Sequence, residues 1–191
     1  MFNVNTLQKM HEWHTNTSRN PLNLINEFEN FEYDTDYGGR LNVTRVAASF
    51  DTVFDSEEKA RTHVCGRSFY DSQTAYLVAF TTKKRSVAYQ KALDSFKAKY
   101  NEYKSFEKGL TIGYGRKSSK VTCPTCGSSI NLRYGSRFKC CPVCTSSKII
   151  SDSNWKTLET RRKLCVKAAE NLSKEAEKND VMFICGIEWH C

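Results

Sequence analysis

The 191-residue sequence predicts an α+β fold. The expected architecture is a small sheet domain with an inserted antiparallel helical hairpin, a coiled-coil-like stalk with a compact four-cysteine module at its tip. Three observations predict it. Apolar runs of strand length occur at 41–50 and 74–82 and again near the C-terminus at 181–189. Two long stretches with heptad-spaced apolar residues lie between them. Two Cys-Pro-x-Cys pairs sit between those two stretches. The implied division is 1–82 plus 180–191 for the base, 83–110 plus 151–179 for the stalk, and 111–150 for the module.

The first elements are the least marked. Val4 to His14 fits a short amphipathic helix. Pro21 to Phe28 fits another, with Asn20 as N-cap and Pro21 at the first helical position. An acidic, aromatic run from Glu27 to Asp36 follows, and Gly38-Gly39 marks a turn. Leu41 to Phe50 reads as a strand. A short helix opens at Ser56-Glu57-Glu58-Lys59-Ala60-Arg61, capped by Asp55 or Ser56, and Gly66 is its expected end. Thr74 to Thr82 is a second, buried strand, which completes a strand–helix–strand unit.

From Lys84 the period changes. Tyr89, Leu93, Phe96, Tyr100 and Tyr103 recur at spacings of four and three, and Gly109 is the expected stop. Ser151-Asp152-Ser153 caps a second helix with the stripe Trp155, Leu158, Arg162, Cys165, Ala169, Leu172 and Ala176. An antiparallel hairpin pairs stripe residues whose numbers sum to 265. That sets Tyr89 by Ala176, Leu93 by Leu172, Phe96 by Ala169 and Tyr100 by Cys165, so that large residues meet small ones. It also sets Tyr103 by Arg162 as a cation–π pair. Val181 to Trp189 is a strong strand that needs a sheet, and the strands of 41–82 are its expected partners.

The cysteine pairs are Cys123-Pro-Thr-Cys126-Gly127 and Cys141-Pro-Val-Cys144, with fourteen residues between them. Each is a tight turn that brings two thiolates to one point. Four thiolates close a tetrahedral metal site and leave no position for a catalytic water. The spacing is near the C-x2-C-x15–20-C-x2-C pattern of zinc sites. Residues 119–150 resemble a zinc ribbon: a knuckle, a short hairpin (Ile130 to Tyr134, Gly135, Arg137 to Lys139), then a second knuckle. The resemblance implies a structural Zn²⁺ held by Cys123, Cys126, Cys141 and Cys144. With few core residues (Val121, Ile130, Leu132, Phe138), such a module needs the metal to fold. Cys140 competes with Cys141 as ligand, but Cys141-Pro-Val-Cys144 matches the knuckle better.

The net charge of +8 is unevenly spread. Residues 1–82 carry seven basic and eleven acidic side chains, residues 83–108 eight and three, residues 109–150 seven and none, and residues 151–191 seven and seven. Arg116, Lys117, Lys120, Arg133, Arg137, Lys139 and Lys148 form the acid-free block, with Tyr114, Tyr134 and Phe138 interleaved. Basic residues around aromatic platforms suit a phosphate backbone with stacked bases. Together with Tyr134 these basic residues are the expected binding surface. The same surface suits an acidic groove on a protein, while its bland reading is solubility, with the aromatics packing the hairpin.

Other constellations are weaker. His63 and Cys65, with His190 and Cys191, offer four candidate ligands for a second metal, although buried packing for Cys65 and an exposed terminus for His190 explain them more simply. His11-Glu12-Trp13-His14 lacks a third ligand, and Gly113-Tyr114-Gly115 is too short for a phosphate loop. Asp34 with Asp36, or Asp51 with Asp55, reads as turns and caps before it reads as a nuclease pair. No nucleophile elbow, P-loop or His-Glu-x-x-His occurs, so no enzyme is expected. No 18-residue apolar run is present, so no membrane partner is expected, and the start of the chain carries no secretory signal pattern. Nine cysteines without disulfide spacing point to reduced, cytoplasmic usage.

The order of Gly-Gly turn, strand, Phe-Asp-x-x-Phe-Asp-Ser-Glu-Glu-Lys-Ala helix, strand, Lys-rich helix, ribbon, helix and closing Glu188-Trp189-His190-Cys191 is similar to zinc-ribbon proteins of unassigned function in phages of Gram-positive bacteria. That resemblance implies a host bacterial cytoplasm and no catalytic residues. Two functions are expected. One is a non-enzymatic zinc-ribbon protein that contacts nucleic acid through its basic tip. The other is an inhibitor or adaptor that acts on a host enzyme with an acidic groove, such as a defence nuclease or RNA polymerase. The stalk also offers a homodimer interface.

Overall fold

The structure is a computed structural model that describes residues 15–34, 40–43, 45–65, 74–112, 120–131, 139–146, 148 and 150–186. It is a mixed α/β protein. In chain order its elements are β1 (Thr15–Ser18), α1 (Pro21–Glu29), β2 (Glu32–Asp34), β3 (Arg40–Asn42), β4 (Arg45–Phe54), α2 (Glu57–Cys65), β5 (Thr74–Phe80), α3 (Val87–Ile112), β6 (Lys120–Thr122), β7 (Ser129–Asn131), α4 (Asp152–Lys178) and β8 (Met182–Gly186). No helix among the described residues is long and apolar enough to cross a membrane. Two compact units share the chain: residues 1–95 with 169–191, and residues 96–168. Both long helices run through the division.

The first unit holds a four-stranded sheet in the order β1-β8-β5-β4. β4, α2 and β5 form a parallel crossover, with Ala48 opposite Leu77 and Ser49 opposite Val78. The pairing slips between Ser49 and Val53, where the Ser49 hydroxyl donates to Thr52 Oγ1 at 2.9 Å. β8 lies antiparallel to β5, with Leu77 opposite Cys185 and Val78 opposite Ile184. The closing strand thus joins the sheet of the earlier strands, as its sequence requires. Its apolar run is continuous because both faces of the central strands are covered. Val78 and Ile184 pack with Ala60 and Val64 of α2. The alternate residues Leu77, Phe183 and Cys185 are buried on the opposite face.

Caps explain where the helices begin. Asn20 Oδ1 accepts from the Leu22 backbone N–H, and Pro21 occupies the first turn of α1. Ser56 Oγ accepts from the Lys59 N–H, so Ser56 rather than Asp55 caps α2. Ser151 Oγ accepts from the Asn154 N–H and caps α4. The α4 exit is a Schellman turn. Asp180 is left-handed at φ 54°, and the Val181 N–H returns to the Ala176 carbonyl at 2.8 Å. Buried Asn179 secures this corner: its Oδ1 accepts from the Ser86 N–H at the entry to α3, and its Nδ2 donates to the Glu175 carbonyl, both at 2.8 Å.

Two expectations are corrected, and one strand is added. α3 does not stop at Gly109 but runs to Ile112. A single glycine costs a helix only about 1 kcal/mol relative to alanine, which the rest of a 26-residue helix absorbs. The strand expected over 41–50 is broken at Val43, whose N–H bonds the Phe31 carbonyl. Its first part pairs with β2 as a separate two-stranded sheet, and its second part extends to Phe54. The sheet also gains β1, Thr-Asn-Thr-Ser, which pairs along the outer edge of β8. The proposed helix at 4–14 lies outside the described residues.

Candidate metal centre

The second unit is built around cysteine. β6 and β7 pair antiparallel, with Thr122 opposite Ser129, and the turn between them carries Cys123 and Cys126. A bridge between Cys140 and Lys148 brackets the turn with Cys141 and Cys144 in the same way. Both turns use one backbone design. The Gly127 N–H bonds the Cys123 carbonyl at 2.9 Å, and the Thr145 N–H bonds the Cys141 carbonyl at 2.9 Å. The residue after the second cysteine is left-handed in each, Gly127 at φ 70° and Thr145 at φ 57°. Glycine adopts that conformation freely. Threonine does not, so the second knuckle is held by its surroundings, including the bond from Thr145 Oγ1 to the Cys144 carbonyl at 2.7 Å.

These turns bring four sulfurs together. Cys123 and Cys144 Sγ lie 3.6 Å apart, Cys126 and Cys141 Sγ 3.8 Å apart, and all four lie within 4.8 Å of one another. Four sulfurs around a zinc at 2.3 Å would stand about 3.8 Å apart. The donor set therefore fits a metal ion such as zinc, bound by Cys123, Cys126, Cys141 and Cys144. Cys140 is not part of the cluster. Ser128 Oγ, 3.2 Å from Cys126 Sγ, can donate to that sulfur once it is a thiolate.

Cys123 and Cys141 are buried in a core with Ile130, Ile150 and Leu158, against which Tyr103, Phe106, Leu110 and Trp155 pack. The cysteine module and these parts of α3 and α4 thus share one core. Arg161 Nη1 donates to the Glu102 carbonyl at 2.9 Å, and its guanidinium lies 4.7 Å from the Phe106 ring centre. Arg162 lies 5.9 Å from the Tyr103 ring centre, the pair proposed from the heptad register. The Tyr103 hydroxyl donates to Glu107. Burial first, and the Glu107 charge second, push its pKa up. Cys165, on the α4 stripe, is buried, and burial pushes its thiol to about 11. It is a packing residue.

Only part of the basic surface is described. Arg116, Lys117, Arg133, Tyr134 and Arg137 lie outside the described residues, as does the Lys120 side chain, although Lys120 itself is in β6. Most of the hairpin expected over 130–139 falls in that range too. Lys139 and Lys148 are placed, and both meet an acid that a reading of 109–150 alone does not include. Lys139 Nζ lies 2.7 Å from Asp152 Oδ1, and Lys148 Nζ contacts Oδ2 of the same carboxylate. The bond from Lys139, then that from Lys148, holds Asp152 down to about 2. The Asp152 bond in turn raises Lys139 above its usual range. Sequence reasoning took Asp152 only as a capping residue.

The remaining candidates separate. His63 sits 4.8 Å from the Phe54 ring, and Cys65 ends α2, but His190 and Cys191 lie outside the described residues, as does the run from His11 to His14. Asp55 is paired with Lys59 at 2.7 Å, and that bond lowers its pKa. Asp51 is exposed on β4, Asp34 lies in β2, and Asp36 is outside the described residues.

Comparison with protein families, curated proteins and solved structures finds no match for this chain.

Proposed function

We propose that residues 111–150 form a structural zinc ribbon carried on a helical hairpin, and that the protein is a non-enzymatic binder of nucleic acid through that ribbon. The four converging sulfurs carry the reading. Two knuckles of one design, each closing on two thiolates, are the geometry of a closed structural site with no place for substrate. The nucleic acid part rests on charge. Seven basic residues and no acid occupy 109–150, and phosphate contacts made by such residues give affinity with little sequence preference.

The test is affinity capture of the tagged full chain from bacterial lysate with and without nuclease, followed by binding to a labelled oligonucleotide across a salt series. The expected result is captured nucleic acid that nuclease removes. Affinity should fall steeply with salt, and charge reversal at Arg133 and Arg137 should abolish binding. One stoichiometric protein that survives nuclease and moderate salt would overturn this reading.

That outcome would favour a second one, an inhibitor or adaptor for a host enzyme, encoded by a phage. Val143 supports it. This apolar residue is 67% exposed in the middle of the second knuckle, where a protein partner gains more from it than a phosphate backbone does.

A further inference from the structure

We propose that Lys139 and Lys148 form a seat for one phosphate group, filled in the free protein by the Asp152 carboxylate. The inference rests on the ribbon reading above and adds a competitor built into the chain.

The two lysines are fixed at one place by the fold. Lys148 is the bridge partner of Cys140, and Lys139 immediately precedes Cys140, so both stand at the foot of the second knuckle. The Ile150 N–H bonds the Lys139 carbonyl, which keeps the chain entering the knuckle beside the chain leaving it. Asp152 enters from the first turn of α4, just after the Ser151 cap. Each lysine takes a different oxygen of its carboxylate. A phosphodiester offers two non-bridging oxygens in a similar fork, with the same charge.

All three side chains are open to solvent, at 43%, 59% and 56% exposure. The carboxylate can leave without uncovering a buried charge, and exposed pairs of this kind are weak. A phosphate can therefore exchange with Asp152. While the carboxylate is seated, the two lysines add less to the field that attracts nucleic acid.

The experiment compares the full-length zinc-loaded protein with D152N, which keeps the shape and removes the charge. E170Q makes the same change in net charge on α4 away from the seat, and D152N/K139Q/K148Q removes the seat. The probes are pyrophosphate and a short fluorescent oligonucleotide at about 0.1 M salt, with the visible spectrum of the cobalt-substituted protein as a check on the knuckles. D152N is expected to bind both probes about fivefold more tightly, with a steeper salt dependence. E170Q should change little, and the triple variant should lose the gain. Equal gains in D152N and E170Q, or none in D152N, would overturn the seat even if the oligonucleotide binds. A pyrophosphate gain confined to D152N, with no oligonucleotide binding by any variant, would keep the seat and overturn the nucleic acid reading.

Discussion

The left-handed residue that follows each knuckle gives a measurable prediction. Gly127 has φ 70°, and a Cβ built there meets no atom within 4 Å. Gly127→Ala therefore introduces no clash, and its effect is conformational alone. A side chain in the left-handed region costs about 1–2 kcal/mol. The unfolded chain of the alanine variant is less flexible, which returns about 0.4–1 kcal/mol. At the middle of both ranges the net penalty is about 0.8 kcal/mol. Where metal binding and folding are one event, this appears as zinc affinity, a loss of roughly fourfold. Competition against a chromophoric chelator measures it. Thr145→Gly is the reciprocal change: it relieves the same strain at φ 57° and gives up the Thr145 hydroxyl bond, so it should cause no loss of affinity. Unchanged or tighter zinc binding by Gly127→Ala would refute the argument that both turns need a left-handed residue at this position.

Three further outcomes are expected. Removing the metal with a chelator should abolish hydrogen-exchange protection in β6, β7 and 139–150 while β5 and β8 stay protected, because structural zinc supplies on the order of 10–16 kcal/mol in small modules; equal loss in both units would contradict this. Asn179→Ala should destabilise the first unit by roughly 2–3 kcal/mol in urea unfolding, since it leaves the Ser86 N–H and Glu175 carbonyl without their side-chain partners; a change under about 0.5 kcal/mol would show that water replaces both bonds. Lys139, raised by its Asp152 bond, should titrate at higher pH in the wild type than in D152N. The stabilisation is fully present below the ordinary lysine value and is lost as pH rises through the raised one, so coincident Nζ titrations by NMR would contradict the pairing.

The parts of this molecule that one helical turn or one knuckle determines were readable in advance. The Asn20 cap, the Ser151 cap and the two cysteine knuckles each follow from a few adjacent residues. Burial of Tyr89, Leu93 and Phe96 on α3, and of Leu158, Cys165, Ala169, Leu172 and Ala176 on α4, follows from heptad spacing. What was missed depends on partners distant in sequence. β1 is four polar residues with no hydrophobic alternation, and it is a strand only because β8 offers an unpaired edge. Asp152, with Lys148 four residues before it, looks like an ordinary first-turn acid until the fold sets Lys139 against its other oxygen.

The burial of the four clustered cysteines bears on what a metal bound there would do. Cys123 and Cys141, the first cysteine of each knuckle, are buried with Ile130, Ile150 and Leu158, while Cys126 is exposed and Cys144 half-buried. A metal bound by all four would join an inner pair, packed in the core shared with Tyr103, Phe106 and Trp155, to Cys144 at the edge of that core and to the exposed Cys126. Among the described residues, Ile130 and Ile150 are the aliphatic side chains that the module places in that core, and thiolate–metal bonds would add to what their burial supplies. The Cys140–Lys148 bridge and the bond from the Ile150 N–H to the Lys139 carbonyl close the foot of the second knuckle, where Lys139 and Lys148 stand, around the turn that carries Cys141 and Cys144. Loss of a metal from that turn would therefore loosen the two lysines as well as the module. Zinc here would act on binding without touching the ligand.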